Sequence, residues 1–281
     1  MPAKKMREIL DDAIMRLAGF PTGRRDAELI LLRLLGRDLA WLIAHADAEL
    51  SAEQAMQFEG WIARRALHEP VQYILGEQEF YGLTFKVTPD VLIPRPETEH
   101  VVEAVFERVP PDAAVRIADV GTGSGAIAVA LARALPQTQV TGLDISAAAL
   151  VVARENAARY GVMERVRLLE SDLLRSVRGE WFDVVVANPP YVAESEVLED
   201  QVRQFEPHGA LFAGPTGLEM YQRLIPEACE VLVPDGWLLL EIGHGQRDAL
   251  AELLAGWDDV GFMADLQGIP RVAMARRVGG E

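Results

Sequence analysis

Residues 116–136 read RIADVGTGSGAIAVALARALP, which joins an apolar run, a glycine-rich segment and a helical pattern in that order. The apolar run at 116–121 has the composition of a strand, and the helical pattern stops at Pro136. Glycines are needed where a strand turns sharply into a helix and a ligand comes close to the backbone. The stretch therefore predicts a strand, a cofactor loop and a helix.

The same alternation continues towards the C-terminus and predicts the fold class. Helical patterns separate further predicted strands at 139–144, 166–171, 182–188 and 237–243, and the segments VGFMADLQ and RVAMARRV suit two final strands. Near-continuous apolar strands that alternate with helices form mostly parallel sheets that are covered on both faces. We therefore predict an α/β domain over residues 97–281.

The residues before this domain have a different character. Residues 1–75 show apolar residues at helical spacing and predict a small bundle of four or five helices. Residues 76–96 are rich in aromatic and β-branched residues around Gly82, and they predict a β-hairpin linker.

Charge and composition limit the partners of the chain. Its 281 residues carry a formal charge of −16, and residues 1–75 hold only 10 basic and 11 acidic side chains. The acidic excess therefore lies in the rest of the chain, where it opposes binding to phosphate backbones. We expect no direct nucleic-acid partner and a basic protein as the more suitable one.

Other features of the sequence predict a cytoplasmic protein without a metal, and we also expect a monomer. The N-terminus has no signal-peptide core, and apolar runs are too short to span a membrane. The single cysteine, Cys229, lies at the apolar phase of a predicted helix, where we expect it to be buried, and no cysteine-based metal site is visible.

The glycine loop predicts a nucleotide-type cofactor without choosing between cofactors. Its glycines fall at relative positions 1, 3 and 5, whereas the dinucleotide fingerprint has them at 1, 3 and 6. Asp144 ends the next strand, where a carboxylate can bind the ribose hydroxyls of either NAD or S-adenosylmethionine. Asp172 and Leu173 end the third strand, where they would contact the adenine. The predicted loop residues are Asp119, Gly121, Thr122, Gly123, Ser124 and Gly125.

The tetrapeptide Asn188-Pro189-Pro190-Tyr191 ends the fourth predicted strand and favours one chemistry. Two prolines remove two backbone N–H donors and keep the chain extended. The Asn188 side-chain oxygen and the backbone carbonyls remain as acceptors for a planar NH2 group. Tyr191 would stack on that group, and the nitrogen lone pair would face the methyl group of S-adenosylmethionine. These four residues are the predicted catalytic residues, and Asn188 would also border the cofactor.

Four stretches together make the chain resemble the HemK/PrmC family, the release factor glutamine methyltransferases: LIPRPETE (92–99), DVGTGSGAIA (119–128), NPPY (188–191) and EPHGALFAGPTGLEMY (206–221). The resemblance implies a Rossmann-like, seven-stranded methyltransferase domain with a helical N-terminal domain that recognises the substrate. It implies methyl transfer from S-adenosyl-L-methionine, with S-adenosyl-L-homocysteine as product, to the N5 of the glutamine in the Gly-Gly-Gln motif of class 1 peptide-chain release factors.

The resemblance also implies roles for single residues. The 121–125 loop would hold the methionine part of the cofactor, and Asp144 the ribose. Leu173 stands where some members of the family place a tryptophan beside the adenine. LIPRPETE would border the active site, with Arg95 as an ion-pair partner.

Three other functions compete with this hypothesis. An adenine-N6 methyltransferase acting on DNA or RNA would use a similar Asn-Pro-Pro-aromatic motif, but it needs a basic face for its substrate. An NAD-dependent dehydrogenase would leave the NPPY motif unexplained. A non-catalytic binding module would tolerate the loss of Asn188.

Overall fold

Five amphipathic helices occupy the N-terminal part of the computed structural model, which describes residues 5–279. Ser51 begins the fourth of them with a capping box: its hydroxyl accepts from the Gln54 N–H, and the Gln54 side chain accepts from the Ser51 N–H. The helices are α1 (Met6–Arg16), α2 (Gly23–Leu35), α3 (Leu39–Ala44), α4 (Ala52–Ala66) and α5 (Val71–Leu75).

These helices form a compact unit of their own. One unit comprises residues 5–76 with Glu199–Phe205, and the other comprises Glu77–Leu198 with residues 206–279. Apolar side chains such as Phe58 and Ile62 form the core of the first unit. Its buried charges are paired, because Arg65 Nε donates to Asp26 Oδ2 at 2.7 Å.

The second unit begins with the predicted hairpin, β1 (Glu77–Phe80) and β2 (Leu83–Lys86), in which Phe80 pairs with Leu83. The two turn residues, Tyr81 and Gly82, both have positive φ angles, of 50° and 68°. Two-residue turns with this geometry match the right-handed twist of the flanking strands.

A seven-stranded sheet forms the centre of the second unit, as the sequence predicted. Its order is β10-β11-β9-β6-β3-β4-β5, and β11 runs in the opposite direction to the other six strands. A separate pair, β7 and β8, forms a short parallel ladder. The strands are β3 (Arg116–Val120), β4 (Gln139–Asp144), β5 (Val166–Glu170), β6 (Phe182–Ala187), β7 (Val192–Ala193), β8 (Phe212–Gly214), β9 (Leu232–Glu241), β10 (Asp258–Ala264) and β11 (Pro270–Arg276).

Helices cover both faces of this sheet. Successive residues of β3 belong to different cores: Ile117 packs in one cluster and Ala118 in the other. Burial on both faces explains why the central strands are continuously apolar. The helices of this unit are α6 (Glu99–Phe106), α7 (Ala126–Ala134), α8 (Ala147–Arg159), α10 (His208–Leu211), α11 (Glu219–Val231) and α12 (Arg247–Leu253), whereas α9 (Asp200–Phe205) belongs to the first unit.

The structure corrects the expectation for Cys229 and refines one strand. Cys229 is exposed on α11, whereas its neighbour Ala228 is fully buried. The buried face of the helix therefore includes Ala228 and not, as predicted, Cys229. Strand β9 begins at Leu232, five residues before the predicted start at 237, and ends at Glu241. Within residues 5–279, no helix combines the length and apolarity that a membrane crossing requires.

Candidate active site

The predicted site residues meet where the order of the strands reverses. Strand β3 lies between β4 and β6, so the chain leaves β3 towards β4 and β5 and returns on the other side at β6. Ligands of open α/β sheets bind at this reversal, beyond the carboxyl ends of the strands. The glycine loop follows β3 and Asn188 follows β6. A Cβ atom on Gly121 would lie 3.8 Å from the Asn188 carbonyl oxygen.

The glycine loop needs its glycines for two different reasons. Gly121, Gly123 and Gly125 have φ angles of 72°, 53° and 78°, a region that other residues rarely occupy. Gly125 also packs closely against α8, since a Cβ atom there would approach Ala153 Cβ to 3.2 Å. The first two glycines keep the backbone open towards a ligand, whereas the third allows two helices to approach.

Asp119 lies beneath this loop and does not reach its surface. The residue is fully buried; its Oδ2 accepts from the Thr122 hydroxyl at 2.6 Å and from the Ala128 N–H at 3.1 Å. Burial raises the pKa of Asp119 to about 7, and these two hydrogen bonds oppose that rise. Its Oδ1 has no partner among the described residues. Through the two hydrogen bonds of Oδ2, Asp119 supports the loop from below.

Asp144, at the end of β4, fixes both the loop and the next helix. Its Oδ2 accepts from the Gly123 N–H at 2.8 Å, and its Oδ1 accepts from the Ser146 N–H at 2.9 Å. Burial raises the pKa of this carboxyl, and the backbone hydrogen bonds lower it. A carboxylate has about four acceptor positions, so two remain for a ligand.

The end of β5 leads into a strained turn, and Asp172 of this turn pairs with two arginines. Leu173 has a φ of 54°, and the Ser171 hydroxyl donates to its carbonyl at 2.7 Å. A leucine in this conformation costs about 1 kcal/mol and persists where the surroundings fix it. Asp172 accepts from Arg223 at 2.6 Å and from Arg175 at 2.9 Å, so its carboxylate is held rigidly.

Asn188 is oriented by a residue from the LIPRPETE segment. Its Nδ2 donates to the Thr98 hydroxyl oxygen at 2.9 Å. With the NH2 end of the amide engaged in this way, the Oδ1 end remains to accept hydrogen bonds from a ligand.

Tyr191 packs against a buried carboxyl at the end of β9. Its hydroxyl donates to Glu241 Oε1 at 3.2 Å, and Glu241 is 2 % exposed. Burial, the largest cause, raises the pKa of Tyr191 far above its usual range, and the nearby Glu241 adds to the rise. Tyr191 therefore stays protonated and acts as a hydrogen-bond donor to Glu241, not as a base.

One cavity of about 530 Å³ collects most of the predicted residues, a volume typical of small-molecule sites. Asp119, Gly125 and Tyr191 do not line it. Arg223, Met220 and parts of the segments at 90–98 and 207–210 line it in addition. The predicted residues that line the cavity are Gly121, Thr122, Gly123, Ser124, Asp144, Asp172, Leu173, Asn188, Pro189 and Pro190.

Four supporting residues were missed in the sequence. Thr98 and Glu241 contact Asn188 and Tyr191, as described above. Asn156 of α8 donates to the carbonyls of Ser124 and Lys86, at 2.9 and 3.0 Å, and so ties the glycine loop to the linker. Glu206, whose side chain is 1 % exposed, pairs with Arg95, which agrees with the expected ion-pair role of that arginine. Thr98 lies in the LIPRPETE segment that was expected to border the site, and Glu206 begins the EPHGALFAGPTGLEMY segment, whereas nothing in the sequence pointed to Asn156 or Glu241.

Comparison with known proteins agrees with this architecture. Residues 8–76 match the family model PrmC N-terminal domain, and residues 98–213 match Methyltransferase small domain. A methyltransferase structure from Pyrococcus furiosus superposes with a TM-score of 0.52 at 18% identity, covering 77% of this chain and 97% of that one. The fold and the site define this protein as a Rossmann-like methyltransferase.

Curated relatives identify the family. The release factor glutamine methyltransferase of Koribacter versatilis is 44% identical over 97% of this chain and 98% of its own length. That of Geobacter sulfurreducens is 43% identical over 96% of both chains. The chain belongs to the release factor glutamine methyltransferase family, as its motifs predicted.

Proposed function

We propose that this protein transfers a methyl group from S-adenosyl-L-methionine to the side-chain amide nitrogen of the glutamine in the Gly-Gly-Gln motif of class 1 release factors. One observation supports it most: the glycine loop, Asp144 and an Asn188 oriented by Thr98 border the same cavity. The names of the relatives support the choice of protein substrate.

The residues around the cavity fit the proposed cofactor. The open glycine backbone at 121–123 suits its methionine part, and the two remaining acceptor positions of Asp144 suit the ribose hydroxyls. Asp172 would accept the adenine amino hydrogens while Arg223 and Arg175 hold its carboxylate in place. Leu173 would cover the adenine ring from its fixed, strained position. The 16S rRNA methyltransferase of T. thermophilus, solved with AdoMet and guanosine, has a similar fold, with a TM-score of 0.53 at 21% identity over 72% of this chain and 49% of that chain.

The chemistry of the substrate side depends on position. When bound, the cofactor supplies an electrophilic methyl group on a sulfonium. Asn188 Oδ1 and the Pro189 carbonyl would accept the two amide hydrogens of glutamine and turn the nitrogen lone pair towards the cavity. Tyr191 does not line the cavity, and its proposed part is to hold the end of the NPPY segment through its hydrogen bond to Glu241. Alignment and water exclusion contribute most of the rate in such a reaction, and the amide proton is lost as the nitrogen is alkylated.

The helical domain at 1–75 is proposed to bind the release factor. It carries nearly equal numbers of acidic and basic side chains, so apolar and shape contacts would dominate there. The same proposal includes the division into domains 1–75, 76–96 and 97–281, a monomeric state and the absence of a nucleic-acid partner.

Mass spectrometry of a purified release factor tests the proposal. Incubation with the enzyme and S-adenosylmethionine should add 14 Da, about one methyl group per factor, to the Gly-Gly-Gln glutamine. A release factor with that glutamine changed to alanine is the matched control and should stay unmodified. Duplex DNA and rRNA test the adenine-N6 alternative, and methylation of either one without methylation of the factor would overturn the proposal.

A further inference from the structure

A buried carboxyl that is only partly hydrogen-bonded lies beside the proposed substrate site. Glu241 ends β9, next to Asn188 in the sheet, because Leu240 pairs with Ala187. Its side chain is buried, and Oε2 has no hydrogen bond of normal geometry among the described residues. Burying a charge of this kind is costly, so a structural reason alone would favour an apolar residue here.

Two hydroxyls of the site face this carboxyl. Tyr191 donates to Oε1 at 3.2 Å. The Thr98 hydroxyl lies near the same carboxyl, since it is one of the groups that lower the pKa of Glu241. Thr98 also accepts a hydrogen bond from Asn188 Nδ2. A hydroxyl has one proton to donate, and an ionised carboxylate can only accept. If the Thr98 proton points to Glu241, the lone pairs of Thr98 are left for Asn188.

We propose that Glu241 is a positioning residue that acts through Thr98 to fix the direction of the Asn188 amide. The carboxylate draws the Thr98 proton, the Thr98 oxygen then accepts from Asn188 Nδ2, and Asn188 Oδ1 is left facing the substrate. This inference rests on the proposed function, since it concerns how an NH2 group is chosen there.

The opposite direction of the same hydrogen bonds would select a different ligand. Were Thr98 to donate to Asn188 Oδ1, the amide would rotate and present its own NH2 to the substrate. Two NH2 groups would then face each other, whereas a carbonyl or carboxylate oxygen of a ligand could accept a hydrogen bond from Asn188. The Glu241–Thr98 pair therefore makes the site specific for glutamine over glutamate.

The charges around Glu241 determine when it is ionised. Burial raises its pKa to about 7; the hydroxyls of Thr98 and Tyr191 and the cation of Arg271 lower it, while Glu97 raises it. Tyr221 donates to the Glu241 backbone carbonyl at 2.8 Å and not to the carboxyl. Protonation below neutral pH would give Glu241 a proton to donate to Thr98 and would remove the direction it imposes.

Thr98→Val removes the hydroxyl at nearly constant volume and tests the inference. We expect single-turnover methylation of release factor to slow by 10- to 100-fold, with the dissociation constant of S-adenosylhomocysteine, measured by calorimetry, within twofold of the parent. Thr98→Ser should restore the rate to within threefold. Thr138→Val is the matched control, since Thr138 is buried in the same unit and its hydroxyl is 3.4 Å from the Ala113 carbonyl.

A measurement of specificity distinguishes a change in the direction of the Asn188 amide from a general packing defect. A release factor with glutamate in place of the Gly-Gly-Gln glutamine should inhibit the parent weakly, and should inhibit the Thr98→Val variant at least tenfold better relative to its KM. A structural defect would weaken both factors alike. An unchanged ratio, or parental methylation by Thr98→Val, would overturn the inference.

Glu241→Gln supplies the pH test. The parent single-turnover rate should rise with pH through about 7 as Glu241 ionises, whereas Glu241→Gln should be slow and independent of pH in that range. A parental pH profile in the variant would count against the inference while leaving the proposed function intact. A parent enzyme that does not methylate release factor at any pH would overturn both.

Discussion

The glycine loop after β3 and the NPPY segment after β6 border the same cavity, yet they are built in opposite ways. The loop consists of open backbone with positive φ angles at three glycines, and Asp119 and Asp144 hold it from its own side of the sheet. The NPPY segment has few donors, and its orientation depends on Thr98 and Glu241 from distant parts of the chain.

This difference separates binding from selection. A loop that is fixed by local backbone geometry suits a cofactor that every methyl transfer needs. A segment whose acceptors are fixed by remote side chains suits the recognition of one substrate group, because its direction can be set independently of the cofactor. Substitutions in the two regions should therefore change different quantities.

The largest effect is expected for Asn188→Ala. Loss of the acceptor should lower kcat by about 100- to 1000-fold, the range seen when one preorganised hydrogen-bonding group is removed from an active site. The dissociation constant of S-adenosylhomocysteine should change by less than about fivefold, since the loop and Asp144 remain. Stopped assays with release factor and calorimetry measure the two quantities. Equal losses in both would mean that the two regions do not act separately.

A second prediction concerns the stability of the same region. The pKa of Glu241 is about 7 in the folded state against 4.5 for an ordinary glutamate, so folding favours its protonated form. Its stabilising effect is complete below pH 4.5 and is lost as the pH rises to 7, a change on the order of 3 kcal/mol. Urea unfolding should show a larger gain in stability of Glu241→Gln over the parent at pH 8 than at pH 5. A constant difference at both pH values would contradict the buried, ionisable role of Glu241.

The smallest effect is expected in the glycine loop. Gly125→Ala places a side chain at positive φ and 3.2 Å from Ala153, whereas Gly161→Ala, at a φ of 65°, meets nothing within 4 Å. Both should lose about 1 kcal/mol to backbone strain, and Gly125→Ala should lose about 1–2 kcal/mol more by overpacking. Urea midpoints of the two variants measure the excess. If the two variants lose the same stability, close packing against Ala153 of α8 is not the reason for a glycine at position 125.

The sequence predicted the site where it depends on local geometry. Strand ends and glycines are visible in a single stretch of chain, and the structure does place the loop at 121–125, Asp144 and Asn188 at the ends of strands of one sheet. The orientation of Tyr191 was not visible, because its partner Glu241 is 50 residues away in the chain. Cys229 failed for a similar reason, since helical spacing near the edge of an apolar face does not say where burial ends.

What the sequence alone determined is the list of elements and the chemistry at their ends: a parallel sheet, a glycine loop and a donor-poor strand end. Only the tertiary structure decided which carboxylates line the cavity and which lie beneath the loop, as Asp144 and Asp119 show. It also decided the direction of the Asn188 amide through Thr98, 90 residues away. Hydrogen-bond direction depends on which groups meet in space, and chain neighbours cannot specify that.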